Sequence, residues 1–193
     1  LLHQDARGRA LVIGYGTGVT SRVLHEAGFA QLDVAELSAD IVRLADRHFG
    51  DVNRQVSRAP GVNLQLTDGR NLLLLQRQPY DLVSIEITSI WFAGAASLYN
   101  RDFYRLVHQR LTGRGVLQQW LQLHRLSATD ILSVLATLRS EFRFVSLYVL
   151  GSQGIVVATD DPQRAHPRRD AVDTLQQSPA LADVRRVLAR PVE

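Results

Sequence analysis

Ala10-Leu11-Val12-Ile13-Gly14-Tyr15-Gly16-Thr17-Gly18 passes from an apolar run into a cluster of glycines, and a helical repeat follows directly. Residues 10–13 have the length and character of a buried strand, while Val19, Val23, Leu24 and Ala27 share one helical face. Gly28 stands where a left-handed residue ends a helix. The segment therefore predicts a strand, a tight loop and a helix, in that order.

The same alternation continues downstream. Residues 31–35 read as a second strand with Glu36 at its carboxyl end, and Ser38 caps a helix carrying Ile41, Val42, Leu44, Ala45 and Phe49. Val62, Leu64 and Leu66 form a third strand that runs out at Thr67-Asp68-Gly69, ahead of a short helix at 72–75. Residues 80–85 are a fourth strand, and residues 86–100 form a long polar and aromatic loop of the kind that usually has a function. Asn100 caps a helix expected to run through Leu111 to a stop at Gly113, and residues 115–121 are a fifth strand. Ser127 and Asp130 make a capping box for the next helix.

Residues 142–150 and 155–159 are strand-like and separated by only four residues, too few for a crossover helix, so they form an antiparallel pair. Beta-alpha units closed by an antiparallel hairpin predict an α/β domain with a seven-stranded, mostly parallel sheet covered by helices on both faces. The domain is expected over residues 1–160, with 161–193 a polar tail holding a short C-terminal helix capped by Ser178 and opened by Pro179.

Composition excludes whole classes of chemistry. The 193 residues are 46% hydrophobic and 21% charged, which fits one packed domain, and contain no cysteine. Disulfide scaffolds, thiolate metal sites and cysteine nucleophiles are thereby removed. The histidines show no metal-ligand spacing, so no metal is predicted. The net charge of +3 is small and its arginines are interspersed with 19 acids, so no nucleic-acid partner is expected. No apolar stretch reaches membrane-spanning length and the first nine residues lack a signal-peptide pattern, which predicts a soluble, cytoplasmic domain. The absence of any methionine, including at position 1, predicts a piece of a longer chain.

In an open parallel sheet the ligand lies beyond the carboxyl ends of the strands. The polar residues expected there are Gly14, Gly16, Gly18, Glu36, Asp68, Gly69 and Glu86. Glycines let backbone amides approach a ligand, and Glu36, 22 positions after Gly14, stands where an acid accepts hydrogen bonds from ribose hydroxyls. The glycines alone also fit a bare strand-to-helix turn, and Asp68-Gly69 a plain turn; their coincidence at one sheet edge favours a nucleoside site. The Gly14, Gly16, Gly18 spacing differs from the GxGxxG of dinucleotide dehydrogenases, which favours an adenosyl sulfonium over NAD, with Asp68 facing the adenine amino group. Trp91 and Trp120 fit either an acceptor pocket or the core, and His124 is a base candidate without an evident partner.

The blocks at residues 10–18, Val34-Ala35-Glu36, Thr67-Asp68-Gly69-Arg70 and Tyr80-Asp81-Leu82-Val83 resemble those of spermidine synthases, the aminopropyltransferases that use decarboxylated S-adenosylmethionine. Trp91-Phe92-Ala93-Gly94-Ala95-Ala96-Ser97-Leu98-Tyr99, Arg101-Asp102-Phe103-Tyr104 and Gln119-Trp120-Leu121-Gln122-Leu123 look most like the spermidine-synthase-like domains fused to membrane segments. The likeness spans residues 8–160 and implies a Rossmann-like class I methyltransferase fold. It also implies polyamine biosynthesis, a small amine acceptor and decarboxylated S-adenosylmethionine or S-adenosylmethionine as co-substrate. A homodimer and a membrane tether outside this chain are compatible with it. Residue by residue, it makes Gly14, Gly16 and Gly18 the glycine loop, Glu36 the ribose acid and Asp68 the adenine-side acid.

The loop after the fourth strand departs from the family's Asp-Ser-Ser-Asp-Pro: here it reads Glu86-Ile87-Thr88-Ser89-Ile90, so Ser89 occupies the position of the proton-accepting acid. Glu86 is left as the catalytic candidate, with a cap on the following amides as its other reading. Three functions stay open: an aminopropyltransferase, a methyltransferase using S-adenosylmethionine, and a non-catalytic nucleoside-binding sensor.

Overall fold

A computed structural model describes residues 1–87, 94–124 and 126–177. The strands are β1 (Arg9–Ile13), β2 (Gln31–Glu36), β3 (Val62–Leu66), β4 (Tyr80–Ile85), β5 (Leu111–Gln122), β6 (Phe144–Leu150) and β7 (Gln153–Thr159). They form one sheet in the order β3-β2-β1-β4-β5-β7-β6. The first five run parallel and β7 lies antiparallel between β5 and β6, as expected from the short connection near Gly151. The helices are α1 (Val19–Glu26), α2 (Ala39–His48), α3 (Gly50–Asn53), α4 (Gly69–Leu75), α5 (Arg101–Arg110), α6 (Ala128–Arg139) and α7 (Ala171–Gln176). Among the described residues no helix is long and apolar enough to cross a membrane.

Strand alternation sends side chains to two separate cores. Leu11, Ile13, Val83, Ile85 and Leu117 pack with Phe103, Tyr104 and Val107 of α5 on one face. Ala10, Val12, Leu82 and Val116 pack with Leu24 and Ala45, of α1 and α2, on the other. β1 and β4 are therefore apolar on both sides, which explains why they read as runs more than as alternation.

The expected caps form. Ser38 accepts from the Ile41 amide at 3.4 Å, Asn100 from the Phe103 amide at 2.9 Å, and Ser127 and Asp130 complete both halves of a capping box. Several boundaries differ from expectation. The helix expected to reach Gly113 ends at Arg110, because Leu111 turns extended and pairs with Tyr80, and a register shift between Tyr80 and Leu82 absorbs the residues that follow. The helix expected at 72 starts at Gly69 because the Asp68 carboxylate accepts from the Asn71 amide. The first hairpin strand ends at Leu150 as expected but starts at Phe144, and the second starts at Gln153, two residues earlier than expected, leaving Gly151, at φ +59, and Ser152 as the turn. The stretch after β7 folds back: the Arg168 amide donates to Leu2 O at 2.9 Å, and His3 bonds both Arg164 O and the Tyr148 hydroxyl at 2.7 Å. The helix expected behind Ser178 lies outside the described residues.

A buried polar cluster anchors the amino-terminal half of the sheet. Asp33 is fully buried and accepts from Arg9 Nη2 and the Tyr80 hydroxyl at 2.8 Å each, and from Asn63 Nδ2 at 2.9 Å. The Arg9 guanidinium also lies 4.6 Å from the Tyr80 ring centroid. Asp33→Ala leaves a guanidinium and a phenol without their acceptor, so urea unfolding should show a loss of about 3–5 kcal/mol, the scale for breaking a buried pair from one side. Asp33→Asn, which keeps an acceptor oxygen, should lose clearly less; equal losses would mean that the charge and the hydrogen bonds contribute little there.

Candidate active site

The carboxyl ends of β1, β2 and β3 open on a cavity of ≈250 Å³. Gly14, Glu36, Asp68 and Gly69 line it, together with apolar Ile13, Leu37, Ile87 and Leu98. The volume sits just under the usual small-molecule range of about 300–1,000 Å³, which suits a nucleoside better than a dinucleotide. Four of the seven site residues expected from sequence are thus brought together. Gly16 and Gly18 shape the loop beside the cavity without lining it, and Glu86 points elsewhere.

Glu36 is the organising acid. Its Oε2 accepts from the Tyr15 amide at 2.9 Å and its Oε1 from the Ser38 amide at 3.0 Å, so one carboxylate ties the loop after β1 to the loop after β2. Each oxygen keeps acceptor capacity for hydroxyl donors. One oxygen of Asp68 caps α4 at 3.0 Å from the Asn71 amide, and the other makes no hydrogen bond among the described residues. One carboxylate therefore caps α4 and still keeps an open acceptor oxygen. Gly69 is a close-approach residue, since a Cβ there would lie 2.4 Å from Ile13 Cγ2.

The glycine loop is held from below by a residue that the sequence reading passed over. Tyr15 is buried, and its hydroxyl donates to Asp46 Oδ1 of α2 at 2.8 Å, while Ser57 donates to Asp46 Oδ2 at 2.6 Å. Burial, followed by the adjacent Asp46 carboxylate, pushes the Tyr15 phenol up to about 12. Gly14, Gly16 and Gly18 all have positive φ, and at Gly18 a Cβ would lie 2.7 Å from the Tyr15 ring. A side chain is thus excluded at Gly18 both by backbone conformation and by Tyr15. Within the sequence Tyr15 looks like a spacer between glycines, and Asp46 stands 31 positions away with nothing to connect them.

Glu86 lies on the other side of β4. Successive strand residues point to opposite faces, so Ile87 enters the nucleoside cavity while the Glu86 carboxylate joins Ser84 and Gln118 in a second cavity of ≈340 Å³ beside α1. The Ser84 hydroxyl donates to Glu86 Oε1 at 2.7 Å and also meets Gln118 Oε1, its register partner on β5. Gly14 packs closely on this strand end: a Cβ there would lie 3.0 Å from Ile87 Cδ1 and 3.7 Å from Glu86 Cβ. The Ser84, Glu86 spacing of two on a strand was a legible signal; the cross-strand partner was not. Trp120 has its indole Nε1 buried without a hydrogen-bond partner among the described residues, and His124 is exposed just past β5. Ser89 and Trp91 lie outside the described residues.

Burial pushes the Glu86 carboxyl above its ordinary value, opposed by hydrogen bonds from Ser84, Thr20 and Gln118. The folded protein then holds a proton that the unfolded chain releases, so stability falls as pH rises from the ordinary carboxylate value through the raised one. Glu86→Gln lacks that fall. The difference in melting temperature should therefore grow in favour of Glu86→Gln across this interval and level off above it; a pH-independent difference would show that Glu86 ionises alike in both states.

Comparison with known proteins extends this geometry. No family model matches the chain. It is 32% identical over 150 residues to the polyamine aminopropyltransferase of Nitrosomonas europaea, covering 77% of this chain and 46% of that one. It is 31% identical over 182 residues to polyamine aminopropyltransferase 2 of Pseudomonas aeruginosa, covering 90% and 52%. The chain therefore spans about half the length of these curated relatives. In fold it is similar to spermidine synthase in complex with the transition-state analogue AdoDATO, with TM-score 0.78 at 13% identity over 92% of this chain and 62% of that one. Human methyltransferase-like protein 13 in complex with SAH gives 0.71 at 20% identity, covering 100% and 86%. These two likenesses show the seven-stranded α/β fold. Over about half of their length, then, the chain is similar in sequence to two proteins named polyamine aminopropyltransferase.

Proposed function

We propose that the domain is an aminopropyltransferase that binds decarboxylated S-adenosylmethionine and transfers its aminopropyl group to a small amine. The single observation carrying the reading is the nucleoside-sized cavity in which Glu36 and Asp68 supply acceptors at the ends of β2 and β3. Relatives named polyamine aminopropyltransferase support the reaction class. In this reading the ribose hydroxyls donate to Glu36, the adenine amino group donates to the open oxygen of Asp68, and Ile13, Ile87 and Leu98 give the base an apolar bed.

The chemistry asks for a proton acceptor. An amine nitrogen forms a bond to the methylene carbon beside the sulfonium, the carbon–sulfur bond breaks, and methylthioadenosine leaves with the electron pair. The amine must shed a proton; Glu86 is the acid assigned to take it, from the cavity beside α1 that its carboxylate enters on the opposite face of the strand end from the nucleoside cavity. A carboxylate raised by burial is a better base than an exposed one, because its pKa lies closer to neutrality. Ser89 in place of an acid favours a second reading, a nucleoside-binding domain without turnover, and the likeness to a methyltransferase in complex with SAH admits methyl transfer.

Calorimetry separates these readings. Methylthioadenosine and decarboxylated S-adenosylmethionine should bind, NAD should not, and Glu36→Ala should weaken nucleoside binding by about 1–3 kcal/mol, the value of a lost charged acceptor. No binding of any adenosyl ligand to a folded sample would end the proposal. Turnover of decarboxylated S-adenosylmethionine with putrescine should drop about a hundredfold or more in Glu86→Gln, the scale of a lost general base, with affinity largely kept. Tight binding without product from any amine, together with a gain of activity in Ser89→Asp, would instead select the sensor reading. Methylation of the amine by S-adenosylmethionine would select the methyltransferase.

A further inference from the structure

Away from both cavities, a groove of ≈690 Å³ runs between α2, the 3₁₀ turn Val56–Arg58 and edge strand β3. It shares no lining residue with the nucleoside cavity. Val42, Leu64 and Leu66 give it an apolar floor, and Arg43, Arg47 and Arg58 stand on its walls. Its one lining carboxylate, Asp46, is already engaged by the hydroxyls of Tyr15 and Ser57. Arg43 pairs with Asp40 at 2.7 Å outside the groove. The guanidiniums of Arg47 and Arg58 make neither an ion pair nor a hydrogen bond among the described residues, whereas those of Arg9, Arg101, Arg105, Arg114 and Arg164 are each matched with a carboxylate.

Two unneutralised guanidiniums over an apolar floor form a mixed recognition surface. Guanidinium forks match phosphoryl oxygens in bidentate geometry and a planar or aliphatic body gains by covering Leu64 and Leu66. The concavity, with three arginines, is also too small for a polyanion's extended backbone, and a net charge of +3 gives the chain little long-range attraction for one. We propose that this groove binds a phosphorylated small molecule of nucleotide size. Arg47 and Arg58 hold the phosphoryl groups, and the apolar part rests on Val42, Leu64 and Leu66. The site stands whether or not the nucleoside cavity serves aminopropyl transfer.

Calorimetry with tripolyphosphate and with uridine triphosphate, in the presence and absence of saturating methylthioadenosine, tests it. Both probes should bind, the nucleotide more tightly than tripolyphosphate because only it covers the apolar floor, and neither should be displaced by methylthioadenosine. Arg47→Glu/Arg58→Glu should lower both affinities by about tenfold or more, as charge-assisted bidentate contacts give way to repulsion. Leu66→Ala should weaken the nucleotide alone. Arg77→Glu/Arg169→Glu removes the same charge from exposed positions outside the groove and should leave both affinities unchanged. Equal losses in the two double variants would mean diffuse attraction to net charge and would overturn the site. So would absence of binding heat with either probe in a sample whose circular dichroism shows it folded.

Discussion

One carboxylate holds the ligand edge of this sheet in shape. Glu36 accepts from the Tyr15 amide in the loop after β1 and from the Ser38 amide at the cap of α2, so two chain reversals that begin on neighbouring strands are fixed to a common point. An amide buried without an acceptor costs free energy comparable to a lost hydrogen bond, and backbone atoms in a left-handed glycine loop have no helix or ladder to supply one. Tyr15 is therefore held twice, by its amide from above and by its hydroxyl on Asp46 from below. The loop is fixed further by its own amides, Gly14 N donating to Ala35 O of β2 and Gly18 N to Tyr15 O, at 2.8 Å each.

The parity of β4 then divides the site. Residues 85 and 87 face the α5 side and residues 84 and 86 face the α1 side, so an apolar bed and a titratable carboxylate emerge from adjacent positions but into different cavities. The partition leaves two separate cavities, one on each side of the strand end. It also explains why the carboxylate is perturbed: Glu86 is enclosed by Ser84, Gln118 and the first turn of α1, where hydroxyl and amide donors only partly offset the loss of water. The buried Asp33 cluster does the opposite job at the other end of the strands. There, Asp33 takes hydrogen bonds from a guanidinium and a phenol, and the sheet is held together away from the candidate site.

Much of the architecture was legible in the residues. Apolar runs of four to six residues, glycine or Asp-Gly at their ends and helical faces between them specify parallel strands with crossovers, because each element's burial is dictated locally by its period. Caps such as Ser38, Asn100 and the Ser127/Asp130 box were readable for the same reason: they satisfy amides within three residues. Boundaries slipped where a distant partner decided them. Leu111 leaves the helical path because Tyr80, 31 positions earlier, offers a ladder position, and the hairpin tightens to two residues because β5 extends the pairing to Gln122 and Gln153.

For the site, sequence determined which residue types gather at the strand ends: Gly14, Glu36, Asp68 and Gly69 do line one cavity, because strand polarity alone sends them to one edge. Only the tertiary structure decided that Glu86 faces away from that cavity, that Tyr15 is a strut to Asp46 and that Gln118 completes the carboxylate's surroundings. Each of those facts depends on which strands are neighbours and in what register. Side-chain direction within a strand is a local property, whereas what a side chain meets depends on free-energy terms summed over the whole sheet, and no stretch of sequence carries that sum by itself.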